Sequence, residues 1–467
     1  MNKVISIAAA TLLSSSLLAN TDMQTQIDEL TKEVQKLKKD STNTKKSLSK
    51  VKKATGGDNI KFGVDFRNAV DVLDYKDNDT GATAKNDSLL TSRLYLTMAA
   101  APMKGLMFKG KLAIYSMWGA HLGYEGTDDS LGLKDWSASS KPTDTLMRIK
   151  EAYFVYSNAI GEQPVSFSIG RRPATNGFLA NYRENEKSSG SPLAHITNME
   201  VNGAMVKLSW DRFIEGAYTK FVYGRAHTGD ITNVYGLSTT PWAPYAEVDG
   251  TEDESVDFFV MPGNAYDNGQ YQVMYQWAHI FNTKGKDDSG TLPSAGNKSK
   301  AAGTADLFSL GLKVEGIGDE ISDFLDETTV FASVAYTNYN ADDGYILLGS
   351  QSGGSQSGQS IWVGAIIPDG LTDNGKFGFE YNHGSKYWTP MTWAEDTAMG
   401  SKISVRGDAY EAYWNFDLFG VKYLPSQIRY TYAQHDYTPN VNCAGWVDSQ
   451  AVDITAQDIR LAVSYRY

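Results

Sequence analysis

The side chains with most chemistry to offer in this chain are charged ones on one parity of alternating segments. Lys61 and Arg67 share one face of the stretch that begins at Ile60, and Arg93, Lys109, Lys111 and Arg172 take the equivalent face of the stretches that follow. Farther along, the same parity carries Glu380, Glu411 and Asp417, together with Arg429, Arg460 and Arg466. Asp65 interrupts the early basic run, and the parity of Arg148, Lys150 and Glu151 does not read from the alternation. A basic wall facing a more acidic wall or loop sets up a transverse field, which orients dipolar solutes and discriminates between ions. Such charges need water or partners around them. A water-filled passage meets that need, and so does a salt-bridged, plugged interior.

Only a strand sends alternate side chains to opposite faces. In Asp458–Tyr467 the residues Ile459, Leu461, Val463, Tyr465 and Tyr467 form one apolar face, with Arg460, Ala462, Ser464 and Arg466 between them. An alternating last strand that closes on an aromatic residue is typical of barrels in bacterial outer membranes, with lipid on one face and a wet lumen on the other. Comparable segments recur from Ile60–Phe66 onward, about 16 in all with a range of 14–18, an even number being the rule for such barrels. Their connections fall into two kinds. Ala101–Gly105, Asn158–Pro164, Asp211–Gly216, Gly316–Glu327, Pro368–Gly375 and Gly420–Ser426 are tight. Gly119–Asp144, Arg172–Asn198, His227–Ser255, Asn282–Ala305, Asn340–Ser360, Lys386–Ser404 and Gln434–Gln457 are long and polar. A barrel with short periplasmic turns and long outer loops predicts that division.

The amino-terminal end reads differently. Residues 1–19, a short positive start followed by an apolar run from Val4 to Leu18, have the form of a signal peptide. In residues 20–55 the positions Met23, Ile27, Leu30, Val34 and Leu37 keep heptad spacing, which continues more weakly to Val51. That spacing predicts a short coiled-coil helix and hence self-association, as a dimer on the a/d rule or a trimer in a porin context. The barrel is expected over 58–467. Hydrophobic residues are 41% of the chain and mean hydropathy is −0.37. After Leu18 no run of about 18 apolar residues follows, so helical spans are excluded and a barrel is not. The net charge of −12 argues against a nucleic-acid partner. The single Cys443 cannot form an intramolecular disulfide.

No enzyme signature is present. The six histidines lack metal-ligand spacing, and there is no nucleophile elbow, phosphate loop or dinucleotide fingerprint. Accordingly no catalytic residue, cofactor or metal is expected. The segment Gly170-Arg-Arg-Pro-Ala-Thr-Asn-Gly177 leads into a long stretch ending at Asn198. Folded inward, this stretch would narrow a channel, with Arg171 and Arg172 at its base and Arg183, Glu184 and Glu186 above; folded outward, it would be a solvated loop.

That segment, with His195–Gly203, Glu380–Trp388 and Arg406–Trp414, resembles a porin-like outer-membrane family of unknown function in Gram-negative bacteria, whose members also begin with a signal peptide and a short coiled coil. The resemblance covers most of residues 20–467. It implies an outer-membrane barrel and supplies neither substrate nor site residues. The expectation is an all-β transmembrane antiparallel barrel acting as a porin-type channel. Its partners would be outer-membrane lipid, further copies of itself (a homotrimer) and small hydrophilic solutes. Pore-lining candidates are Lys61, Arg67, Arg93, Lys109, Lys111, Arg172, Glu380, Glu411, Arg429 and Arg460. The alternative is a non-conducting surface barrel that adheres or tethers.

Overall fold

The computed structural model describes residues 60–118, 147–186, 189–190, 192–228, 254–289, 301–318, 321–392, 397–439 and 448–467. The expected signal peptide, the coiled coil and Cys443 lie outside the described residues.

Each alternating segment is a strand: β1 Lys61–Asp77, β2 Thr83–Met103, β3 Leu106–Met117, β4 Arg148–Ile160, β5 Gln163–Ala174, β6 Thr197–Ser209, β7 Tyr218–His227 and β8 Val256–Asp267. The second half comprises β9 Tyr271–Phe281, β10 Gly303–Glu315, β11 Thr329–Ala341, β12 Ser355–Pro368, β13 Lys376–Gly384, β14 Gly407–Asp417, β15 Pro425–Tyr437 and β16 Ala451–Arg466. Each pairs antiparallel with its neighbour in sequence, and β1 pairs with β16 in the register Phe66↔Tyr465, Val70↔Leu461 and Val72↔Ile459. The sheet therefore closes as an all-β barrel of 16 strands. Closure leaves no open edge, the condition for placing backbone in lipid. Most strands reach farther than the alternation of apolar residues shows. Strand β2 begins at Thr83, well before the first apolar pair at Leu94 and Leu96.

The outer face is an exposed apolar belt. Ile459, Leu461 and Tyr465 of β16, Phe308, Leu310 and Leu312 of β10, and Val334 and Tyr336 of β11 all point out. Farther along the same strands, outward positions turn polar. The pairs Arg225–Asp257 at 2.7 Å, His279–Asp306 at 2.9 Å and His383–Asp408 at 2.9 Å lie on this parity. They bound the belt at the end opposite the tight turns.

One connection breaks the short/long division. Residues 78–82 join β1 and β2 by a tight turn at the long-loop end, with Asp77 Oδ1 accepting from the amides of Asp79 and Thr80. At the other end, the Gly316–Glu327 stretch holds one helical turn, Asp323–Asp326, capped by Ser322 Oγ. On β4 a bulge opposite Lys111/Leu112 inserts an extra residue. That is why alternation failed there: Glu151 faces Lys111 across the ladder, whereas Lys150, the extra residue, pairs with Glu200.

Two connections turn inward. The described residues of 175–196, between β5 and β6, enter the lumen and bury Phe178, Leu179, Leu193 and Ala194 against Met274, Phe331, Trp362 and Ile366 of the wall. Residues 385–406, between β13 and β14, bury Trp388, Ile403 and Arg406 and add a short parallel pairing of Met391–Thr392 to Thr197–Asn198. The second stretch reads in sequence as a polar outer loop and is not one. Inward glycines leave room for both. A Cβ on Gly311 would meet the Phe178 ring at 2.8 Å, and one on Gly358 would meet the Trp388 backbone nitrogen at 2.4 Å. Because the Trp388 obstacle is backbone, Gly358→Ala is expected to destabilise the fold by about 1–3 kcal/mol, read as a lower midpoint of thermal unfolding.

Candidate functional site

The filling of the lumen is uneven. On β9 to β14 the inward side chains are buried: Met274, Ser309, Phe331, Trp362, Glu380 and Tyr413 are each at most 5% exposed. On β1 to β4 the inward residues divide: Asp71, Arg93 and Ala113 are at most 5% exposed and Arg67 8%, whereas Lys61 and Lys109 are exposed and Tyr115 keeps 42% of its surface. The two inward connections thus bury their apolar side chains against β6 to β14, and meet β1, β2, β15 and β16 through Glu184 and Asn185 across a small polar cavity.

On the side away from the apolar packing stand the basic candidates. Arg67 and Arg93 face each other across β1 and β2. With Arg429, Arg460 and Arg466 they line one cavity, which Glu184 of the first inward connection closes. Acidic residues are threaded between them. Arg93 lies 3.3 Å and Arg466 3.0 Å from Asp65, and Arg460 Nε sits 2.5 Å from Asp71. Lys111 is paired with Glu151. Lys61 and Lys109 sit near the end with tight turns. Arg172 faces inward on β5, whereas Arg171 falls on the other parity, so only one of the two stands at the base of the loop on the lumen side.

Glu380 and Glu411 are placed differently from a water-lined wall. Both carboxylates have no exposed side-chain surface and share one ammonium, Lys402 Nζ, at 2.6 and 2.5 Å. Trp362 Nε1 donates to Glu380 at 2.8 Å and Thr431 Oγ1 to Glu411 at 2.9 Å. Arg183 approaches Glu411 to 3.9 Å and Arg429 to 3.8 Å. The two glutamates therefore anchor both inward connections to the wall. Lys402 carries no signal of this in sequence, because a lysine among Gly, Ser and Thr reads as solvated. The apolar residues around it, Trp388, Met391 and Ile403, are the signal that was available.

The first inward connection is held along its length. Backbone carbonyls of Tyr182 and Arg183 accept from Asn415 Nδ2 at 3.1 and 3.3 Å, and that of Arg183 also from Gln427 Nε2 at 2.6 Å. Tyr182 donates to Glu315 at 3.0 Å and stacks on Phe331. His195, on this connection and not on a strand, lies between Ser333 Oγ at 2.7 Å and Ser360 Oγ at 2.9 Å, walled by Trp362 and Trp388. Burial pushes its ionisation down to about 3. The unfolded chain binds that proton near pH 6.5 and the folded chain does not, so stability is lost as pH falls below about 6.5. At pH 5 the loss attributable to His195 is roughly 2 kcal/mol. His195→Gln should flatten the fall of the unfolding midpoint between pH 7.5 and 5, and an unchanged slope would refute the assignment.

Among the described residues no group of three or more His, Cys, Asp or Glu side chains could hold a metal ion. No curated protein matches the chain in sequence. Among solved structures, the chain is similar to an anion-selective porin from Comamonas acidovorans at 13% identity, covering 88% of this chain and 100% of that one with a TM-score of 0.48. It is similar to OprB of Pseudomonas putida at 12% identity, covering 87% and 94% with a TM-score of 0.47. It is similar also to OmpT, an outer membrane protein of Vibrio cholerae, at 13% identity, covering 87% and 97% with a TM-score of 0.46. Residues 83–465 match the family described as "Protein of unknown function (DUF3373)", and since that span is most of the chain, the chain belongs to this family.

Proposed function

We propose that the chain is a porin-type channel of the outer membrane for passive diffusion of small hydrophilic solutes or ions. The observation that carries this reading is the uneven filling of a wide lumen. A barrel of about 16 strands is too wide for its own side chains to fill, and the inward connections bury their apolar side chains against β6 to β14. The passage then runs along β1 to β4, β15 and β16. Its lining is Lys61, Arg67, Arg93, Lys109, Lys111, Arg172, Arg429 and Arg460, faced by Glu184 on the inward connection. Glu380 and Glu411 act behind this lining as the anchor that fixes the width of the passage. The apolar belt supports a surround of outer-membrane lipid, the heptads of residues 20–55 support self-association, and the porin reading makes that a homotrimer. Purified protein should give discrete conductance steps in planar bilayers. Silent bilayers from barrels shown to be folded by heat-dependent gel mobility would overturn the channel reading in favour of a surface tether.

A further inference from the structure

Lys207 and Lys220 stand directly opposite one another in the β6–β7 ladder, on the inward parity. Their Nζ atoms lie 4.1 and 5.0 Å from the centroid of the same Tyr218 ring. Arg172, inward on β5, donates to Ser168 Oγ and rests 5.0 Å over the Tyr153 ring. Among the described residues none of these three cations is ion-paired. Glu151, the inward carboxylate next along β4, is taken by Lys111. The cross-strand neighbours of Lys207 and Lys220 on their other sides are Ser166 on β5 and, by register, Pro262 on β8.

Like charges facing each other across a ladder destabilise it, and the cost grows where water is partly excluded. The arginine wall on the opposite side of the lumen shows how this chain otherwise handles the problem, by threading Asp65, Asp71 and Asp458 between the cations. Nothing of the kind is done here. Arg172 and Lys220 instead border a cavity of about 40 Å³ whose other walls are apolar, including Met199, Met205, Val222, Phe258 and Met391. That volume holds about three water molecules. A strongly hydrated multivalent anion would leave behind more water than an apolar lining repays. A carboxylate with a short alkyl tail matches both halves of the site.

We infer that this cavity binds a short-chain monocarboxylate, its carboxylate against Arg172 and Lys220, with Lys207 adding its charge from across the ladder, and its alkyl end against Met199, Val222 and Phe258. The inference names a solute class for the proposed channel and rests on that reading for how the solute arrives; occupancy itself does not require conduction.

The test is calorimetric titration of the full chain in detergent micelles at low salt, with butyrate, acetate and inorganic phosphate as probes. Butyrate should bind saturably and roughly tenfold more tightly than acetate, the factor two further buried methylene groups give. Lys220→Met and Arg172→Met should each weaken butyrate binding about tenfold or more, as loss of a hydrogen bond to a charged group does. Without butyrate, Lys220→Met should raise the thermal midpoint, because it relieves the repulsion from Lys207. Lost binding accompanied by a lower midpoint would mean general damage and would overturn the site. So would the absence of saturable heat, or acetate and phosphate binding as well as butyrate. Bilayer recordings on the same preparation separate the two claims: butyrate binding with silent bilayers removes the channel and leaves the site standing, whereas conduction without butyrate binding removes the site alone.

Discussion

Lys402→Met is expected to destabilise the folded chain by about 3–5 kcal/mol, the usual penalty for stranding buried charge, and to widen the channel. The ammonium neutralises two carboxylates that have no exposed surface of their own. Its removal leaves Glu380 and Glu411 facing each other across the β13–β14 ladder, where they are directly paired. Arg183 and Arg429 lie 3.9 and 3.8 Å from Glu411, and Glu380 keeps the hydrogen bond from Trp362 Nε1, which does not replace the lost positive charge. The barrel wall has its own ladder to hold it, so the strain falls on the two inward connections that Lys402 and Arg183 belong to. Two readouts should therefore move together: the heat-modifiable gel shift to lower temperature, and single-channel conductance upward with more noise. The triple variant Lys402→Met, Glu380→Gln, Glu411→Gln should recover much of the stability, since replacing all members of a buried charge cluster costs far less than removing one. A single variant with an unaltered gel shift and an unaltered conductance would show that the cluster does not hold the connections.

How much of this was legible in the sequence depends on which physical signal each part leaves. Strand period was plain wherever one face meets lipid and the other water, as on β16, because burial and charge alternate together. It failed on β4, where the bulge at Lys150 gives two successive residues equivalent roles, and period alone cannot register an extra residue. The charged rows were readable as rows. Their division into an arginine wall threaded with aspartates and a glutamate pair sharing one lysine was not, because that division is made by segments distant in sequence. Lys402 reaches Glu380 and Glu411 from a connection whose composition reads as solvated, and Glu184 closes the arginine cavity from another. The first inward connection left a trace in the Arg171–Arg172 pair at its base. The second left only Trp388, Met391 and Ile403, apolar residues in a stretch where an outer loop has no use for them. Inward glycines such as Gly311 and Gly358 were visible as residues, but what they make room for requires knowing what lies across the lumen.

Arg67→Glu is expected to shift the channel toward cations. Arg67 is inward, 8% exposed, and directly opposite Arg93 in the β1–β2 ladder. A glutamate there faces an arginine instead of repelling one, so the barrel should fold and insert normally. The local charge changes by two. At ~7 Å in water that is about 1.2 kcal/mol for a passing monovalent ion, close to a tenfold change in occupancy for each ion and in opposite directions for the two signs. Reversal potentials under a KCl gradient read the ratio. The effect should be strong at 0.1 M salt, where the screening length is about 10 Å, and largely gone at 1 M, where it is about 3 Å. Lys402→Met, by contrast, should raise conductance at both salt concentrations, because it acts through the width of the passage. If Arg67→Glu leaves the reversal potential unmoved at low salt while conductance persists, ions do not pass the arginine wall, and the conducting path must lie elsewhere in the lumen.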